Sequence, residues 1–292
     1  MGELANLIKA TRIYRTVPTL MVMTVSVAFA NHATNQLIYL ALVCILIYAA
    51  ASLHNAIKDK DYYLPNYTSL VILALLIIAL VISLNSVASF ITGIIWILLG
   101  LFYNTTGRHL LLGDATILSI THYALPSFSS SLIVGMDMNF ASILAGFMFI
   151  SFWFIMHSKN LKDTREDAHR GYRTLTTQIH NGKGLTLVLF WLSIIPMALA
   201  YFLFNLNKIY VLVWVLILIL DILVSYQILK GRAEFALKLT RVIILFFLVG
   251  LIVGKAPDLR IVLGASGLCS FYCLSLIKDV IDLVKIKGGA PA

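Results

Sequence analysis

Two short rows of amides and carboxylates stand at the ends of apolar runs: Asn55-x-x-x-Asp59, and Asn160-x-x-Asp163-x-x-x-Asp167. Spacings of three, four and seven put such side chains on one face of a helix. Their oxygens are hard ligands, and a one-sided row of them suits Mg2+ that bridges protein to a substrate phosphate. Packing in an apolar chain gives little reason for such rows. Gly171 follows the second row, where it would stop the helix. Cations stand close by: Lys162 and Arg170 around the second row, Lys58 beside Asp59, and Arg108 further along. They would neutralise the phosphate oxygens that Mg2+ leaves free. The bland alternative is a pair of helix ends whose charges only snorkel toward lipid headgroups. Two rows on one side of a membrane favour a site for Mg2+ and a diphosphate.

The elements that must position these rows are membrane helices. The chain has 292 residues, 60% of them hydrophobic and 12% charged, whereas soluble domains are about 45–50% apolar and about 25% charged. A helix needs roughly 20 apolar residues to span a bilayer. Stretches near that length fall at 14–31, 37–55, 69–85, 88–104, 114–135, 139–157, 185–205, 208–229, 239–254 and 261–284. The expectation is an all-α integral membrane protein of nine or ten transmembrane helices, one domain over 1–292, with no room for a soluble domain. Met1 to Arg15 reads as an amphipathic segment that runs into the first span, with no cleavable signal. Cys44, Cys269 and Cys273 all lie in apolar runs and read as buried, inert thiols.

The net charge of +9 orients the protein and names no nucleic-acid partner. With the N-terminus inside, the even-numbered loops hold Lys58, Lys60, Arg108 and the basic residues of 157–184, 230–232 and 238–241. The odd-numbered loops hold only Lys208, Lys255 and Arg260. This asymmetry follows the positive-inside rule and places both Asn/Asp rows on the cytoplasmic side. Lys278, Lys285 and Lys287 would join that side if the tenth stretch crosses, so ten crossings and a cytoplasmic C-terminus are expected.

These residues resemble the UbiA superfamily of intramembrane prenyltransferases. Its first motif, Asn-x-x-x-Asp-x-x-x-Asp after the second helix, is similar to Asn55 and Asp59, with Tyr63 at the third position and Asp61 two residues earlier. Its second motif, Asp-x-x-Asp-x-x-x-Asp leading into Gly-x-Lys/Arg-Thr-Leu after the sixth helix, closely resembles Asn160, Asp163 and Asp167 with Gly171-Tyr172-Arg173-Thr174-Leu175, Asn160 standing at the first acidic position. Tyr103-Asn104-Thr-Thr-Gly-Arg108, followed by Gly113-Asp114, looks like the segment after the family's fourth helix. The resemblance covers nearly the whole chain.

It implies a helical bundle around a central cavity, open to the cytoplasmic side and the bilayer. It implies two Mg2+ ions held by Asn55, Asp59, Asn160, Asp163 and Asp167. Asp59, Asp163, Asp167 and Tyr103 would be catalytic, and Lys162, Arg170, Arg108 and Lys58 would bind the diphosphate. The substrates would be a polyprenyl diphosphate and a small acceptor, either aromatic and quinone-precursor-like or a glycerol-lipid hydroxyl. The metals would act as Lewis acids while the allylic C–O bond ionises.

Two rival functions share part of this pattern. A terpene cyclase on the same scaffold would quench the cation internally and need no acceptor. A secondary transporter would show helices broken by Gly or Pro near the midplane, for which only Pro126 and Pro196 qualify. The Asp-Gly-x-x-Ala-Arg lead-in of CDP-alcohol transferases is absent. Three other polar features have open readings. Asp221 sits mid-span, either hydrogen-bonded to a neighbouring helix or facing the cavity. His122-Tyr123 either packs or lines the cavity. His54 lies beside the first row, although neutral imidazole suits Mg2+ poorly.

Overall fold

The computed structural model describes residues 3–60, 62–255 and 258–288, with side chains up to 276. Asp61 and the side chains of Lys278, Lys285 and Lys287 lie outside the described residues. All ten apolar stretches fall on helix. A short amphipathic helix α1 (Glu3–Thr11) turns into α2 (Val17–Ala30), whose Pro18 occupies the first turn, where a missing N–H costs nothing. Then come α3 (Gln36–Asp59), α4 (Thr68–Ser83) and α5 (Val87–Thr105), which pack on one another. A Cβ on Gly93 would meet Val43 Cγ1 at 3.3 Å, so α3 and α5 approach closely there.

The next span is interrupted. It runs as α6 (Gly113–Ser119), a wide π turn (Ile120–Ala124) and α7 (Leu125–Ile133). Pro126 has no N–H to return to the carbonyl of His122, and the Leu125 N–H reaches five residues back to Ile120. Asp137 caps α8 (Met138–Met156) by accepting from the Phe140 N–H at 2.9 Å. A 3-10 turn, His157–Lys159, then leads into α9 (Asn160–His169), which carries the second row. Gly171, at φ +71°, stops it in the left-handed region, as the sequence predicts.

A single turn α10 (Leu175–Gln178) precedes α11 (Gly182–Leu192) and α12 (Ile194–Leu203), two halves of one span. Helices α13 (Lys208–Leu229), α14 (Ala233–Gly254) and α15 (Leu259–Gly288) complete the bundle. The protein is an all-α integral membrane protein. Among the described residues, eight helical segments are long and apolar enough to cross a membrane, and Thr68–Ser83 is a shorter apolar helix.

The core lies between α2, α8, α13 and α14, where Tyr123, Phe147, Phe152, Phe190 and Phe247 are buried together. A second cluster joins α3, α4 and α5 through Val43, Ile47, Ala79 and Trp96. Where lipid is as apolar as leucine, hydrogen bonds and close packing hold helices together. Ser130 and Ser131 of α7 donate to Ser26 of α2 at 2.8 and 3.0 Å. Outward residues such as Leu70, Leu73, Val81, Leu212, Ile219 and Ile222 are exposed, as a lipid-facing surface requires. Cys44 is buried, Cys269 and Cys273 are half-buried, and all three are free thiols.

Candidate active site

The ends of α3 and α5, the loop before α6, and α9 meet around a cavity of about 420 Å3 that extends down between α2, α3, α5, α6 and α14. Asn55, Asp59, Tyr103, Arg108, Lys162, Asp163, Asp167 and Arg170 all line it. The two rows, more than a hundred residues apart in sequence, therefore share one chamber. Away from them the wall is mixed: Cys44, Ile47, Trp96, Ile117, Ile155 and Ile244 line it together with Arg15, His122 and Arg241.

Asp59 is the best-held group. Its Oδ2 accepts from Arg108 Nη1 at 2.8 Å and Asn55 Nδ2 at 3.0 Å, and lies 3.3 Å from Arg170 Nη1. Its Oδ1 accepts from the Tyr172 hydroxyl at 2.8 Å. Arg108 Nη1 also donates to Asn55 Oδ1 at 2.7 Å, and its guanidinium lies 3.7 Å from the Tyr172 ring centroid. Burial and the bond to Asp59 push the Tyr172 hydroxyl up to about 12, so it remains a donor at neutral pH.

The loop that carries Tyr172 is fixed from both sides. Its own N–H donates to the Asp167 carbonyl at 2.8 Å, and the Arg173 N–H donates to the Arg108 carbonyl at 2.9 Å. A second polar knot sits deeper. Tyr103 donates to Asp114 Oδ1 at 2.6 Å, and Lys159 Nζ lies 3.2 Å from both the Tyr103 hydroxyl and that carboxylate.

Asp163 and Asp167 differ from Asp59. They line the cavity, yet neither carboxylate has a hydrogen-bond or ion-pair partner among the described residues. Two carboxylates held open toward a chamber, facing a third under two guanidinium groups, fit a divalent cation shared with an anionic ligand. Among the described residues no group of three His, Cys, Asp or Glu side chains is arranged to hold a metal ion by itself. Mg2+ takes one or two carboxylates and completes its shell with phosphate oxygens and water, and Asp163 and Asp167 are the donors here that fit it.

Two expected site residues are not brought to the wall. Lys58 is exposed and donates to the Asn104 carbonyl, because one residue along a helix is a rotation of about 100° away from Asp59. Asn160 is buried at the start of α9, where its carbonyl accepts from Thr164 and Thr176, and it is not among the lining residues. Lys159, four residues before Asp163, takes the wall position instead. Its (i, i+4) spacing to Asp163 was the available signal. Tyr172 stands inside the quoted Gly171–Leu175 run, and Arg12, Arg15 and Arg241 also line the cavity. None of these was singled out from the sequence. His54 contacts Asn104, its Nδ1 3.2 Å from the amide nitrogen. Asp221 is buried outside the cavity wall.

Comparison with known proteins places this geometry. A profile of the UbiA prenyltransferase family matches residues 66–251. The chain belongs to the UbiA prenyltransferase family. It is thus an enzyme that transfers prenyl groups. Its fold is similar to that of digeranylgeranylglyceryl phosphate synthase, at 20% identity and TM-score 0.62, covering 87% of this chain and 99% of that one. A UbiA homolog from Aeropyrum pernix K1 aligns at 14% identity and TM-score 0.65, over 83% and 98% of the two chains. A UbiA homolog from Archaeoglobus fulgidus, bound to DMAPP and Mg2+, aligns at 13% identity and TM-score 0.55, over 92% and 99%. No curated protein sequence matches the chain.

Proposed function

We propose that the whole chain, 1–292, is a Mg2+-dependent enzyme that moves a polyprenyl group from its diphosphate to a small acceptor within the membrane. The single observation that carries this reading is the pair of partnerless carboxylates, Asp163 and Asp167, on the same cavity wall as Asp59 beneath Arg108 and Arg170. Asn55, Asp59, Asp163 and Asp167 would hold two Mg2+ ions. Bound there, Mg2+ would neutralise the diphosphate and act as a Lewis acid on the leaving oxygen. The DMAPP and Mg2+ bound to the Archaeoglobus fulgidus homolog support the same pairing here.

The chain's own residues do the rest. Arg108, Arg170, Lys162 and Lys159 present cations to the diphosphate, whose charge grows as the allylic C–O bond breaks. A diphosphate that enters competes with Asp59 for the two guanidinium groups. Asp114 holds Tyr103 and Lys159 in place at the head of the cavity. The prenyl tail would lie against Cys44, Ile47, Trp96 and Ile244. The excess of Lys and Arg in the loops that carry both rows supports a site on the cytoplasmic side.

The test is to incubate the purified protein with Mg2+ and prenyl diphosphates of several lengths, with and without aromatic and hydroxyl acceptors, and to weigh the products. Acceptor-dependent prenylated products are expected. A cyclic hydrocarbon formed without any acceptor would transfer the assignment to a cyclase on this scaffold.

A further inference from the structure

His122 is a cavity group that the diphosphate site does not use. It lies in the wide turn Ile120–Ala124 and forms part of the cavity wall. Such turns are frequent at functional sites. The imidazole is held on two sides. Its Nδ1 is 2.8 Å from Thr121 Oγ1, and its ring meets Tyr48 edge-on with centroids 5.4 Å apart.

Thr121 has one hydroxyl proton, and gives it to the Ile117 carbonyl at 2.8 Å. Toward His122 it therefore accepts, which assigns the proton of the neutral ring to Nδ1 and leaves a lone pair on Nε2. That nitrogen has no partner among the described residues, and it is not sealed from the cavity. His157 is the contrast: its Nε2 is buried and unpartnered, with the ring against Trp153.

The depth is also right. Eight residues separate His122 from Asp114, roughly 12 Å along the helix axis. That leaves room below the Asp114–Lys159 level for the prenyl C1 carbon and the acceptor atom that attacks it. Trp96, whose Nε1 donates to the Thr121 carbonyl at 2.6 Å, and Tyr123, stacked on Phe152 at 3.6 Å, hold the wide turn in place beside His122.

We propose that His122 Nε2 accepts the proton that the acceptor loses during transfer, a role that rests on the prenyltransferase reading above. The C1–O bond of the prenyl diphosphate breaks, and its electron pair leaves on the diphosphate. A lone pair of an acceptor hydroxyl, or a π pair of an acceptor ring, forms the new bond to C1. The proton from that oxygen, or from the newly tetrahedral ring carbon, passes to Nε2. The resulting imidazolium later returns it to water.

The experiment uses the purified full chain with Mg2+ and the donor–acceptor pair that the wild-type protein joins fastest. His122→Gln keeps a polar side chain but has no basic nitrogen, so product formation should fall by about 100-fold or more. Its KM for the prenyl diphosphate should stay within about twofold of wild type, because ground-state binding is untouched. Imidazole added to His122→Ala should restore turnover several-fold by occupying the vacated space. Thr121→Val frees the tautomer and should lower turnover while leaving that KM alone; this near-isosteric variant decides the question if the histidine variants do not fold. A His122→Gln enzyme within threefold of wild type, or unchanged turnover in Thr121→Val, overturns the proposal. Wild-type protein that joins no pair overturns the transferase reading and this proposal with it. Wild-type transfer beside an unimpaired His122→Gln overturns this proposal alone.

Discussion

Replacing Asp59 by Asn should tighten the binding of metal-free pyrophosphate while it abolishes prenyl transfer. In the structure, Asp59 Oδ2 lies 2.8 Å from Arg108 Nη1 and 3.3 Å from Arg170 Nη1. Two unit charges 4 Å apart attract by about 4 kcal/mol at an effective dielectric constant near 20. A diphosphate arriving without a cation must take Arg108 from this carboxylate, and Arg170 from both Asp59 and Glu166, whose Oε1 lies 2.6 Å from Arg170 Nη2. The Asp59 side chain is only 3% exposed, but those of Arg108 and Arg170 are 12% and 24% exposed, so water screens part of the attraction. Discounting for that leaves about 1.4–3 kcal/mol, or roughly 10- to 100-fold tighter binding once the negative charge is gone.

Stability should move the opposite way. Loss of a buried partner costs about 3–5 kcal/mol in full burial, and about 2–4 kcal/mol is expected for this partly wetted cluster. Asp59→Asn should therefore unfold at lower temperature than wild type, and pyrophosphate should restore much of the difference. The assay is calorimetric titration of pyrophosphate into both proteins in EDTA. Equal or weaker binding by Asp59→Asn would refute the idea that Asp59 and the diphosphate compete for Arg108 and Arg170.

Two further outcomes follow from the same cluster. Arg108→Lys loses one of two charge-assisted bonds and the stacking on Tyr172, so the KM for the prenyl diphosphate should rise roughly tenfold to a hundredfold; a steady-state comparison in which the acceptor KM changes instead would contradict this. Tyr172→Phe removes one bond to Asp59, worth about 1–2 kcal/mol. Because the folded-state Tyr172 value lies above that of free tyrosine, near 10, its contribution is complete below pH about 10 and is lost as pH rises through about 12. The difference in unfolding midpoint between wild type and Tyr172→Phe should be constant from neutral pH up to that window and shrink within it; a difference that disappears at lower pH would tell against the bond.

The helices were legible because apolar runs of spanning length have few alternatives in lipid. The break at Ile120–Ala124 was legible only as Pro126, since a proline marks an interruption but not its geometry. Within the site, the acids Asp59, Asp163 and Asp167 and the stop at Gly171 followed from helical spacing alone. Asn160 and Lys58 did not reach the cavity, for a reason that spacing cannot supply. The 3-10 turn His157–Lys159 resets the phase between α8 and α9, so Lys159 faces inward and Asn160 does not. Partner choice was equally hidden. Arg108 reaches Asp59, forty-nine positions earlier, while Lys159 takes Asp114, the acid nearest Arg108 in sequence. Asp221 was open to two readings. It is buried in α13, away from the cavity wall, and both carboxylate oxygens lack a partner among the described residues.

Asp163 and Asp167 offer the most direct test of the proposed activity, because both carboxylates are open to the cavity and neither holds the fold together through an observed bond. Purified Asp163→Ala and Asp167→Ala proteins should elute as monodisperse species like wild type. Given Mg2+, a prenyl diphosphate and an acceptor, each should lose about a thousandfold or more of the acceptor-dependent product measured by mass, matching the several kcal/mol that metal assistance supplies. Wild-type rates of prenyl transfer in both variants would contradict the account.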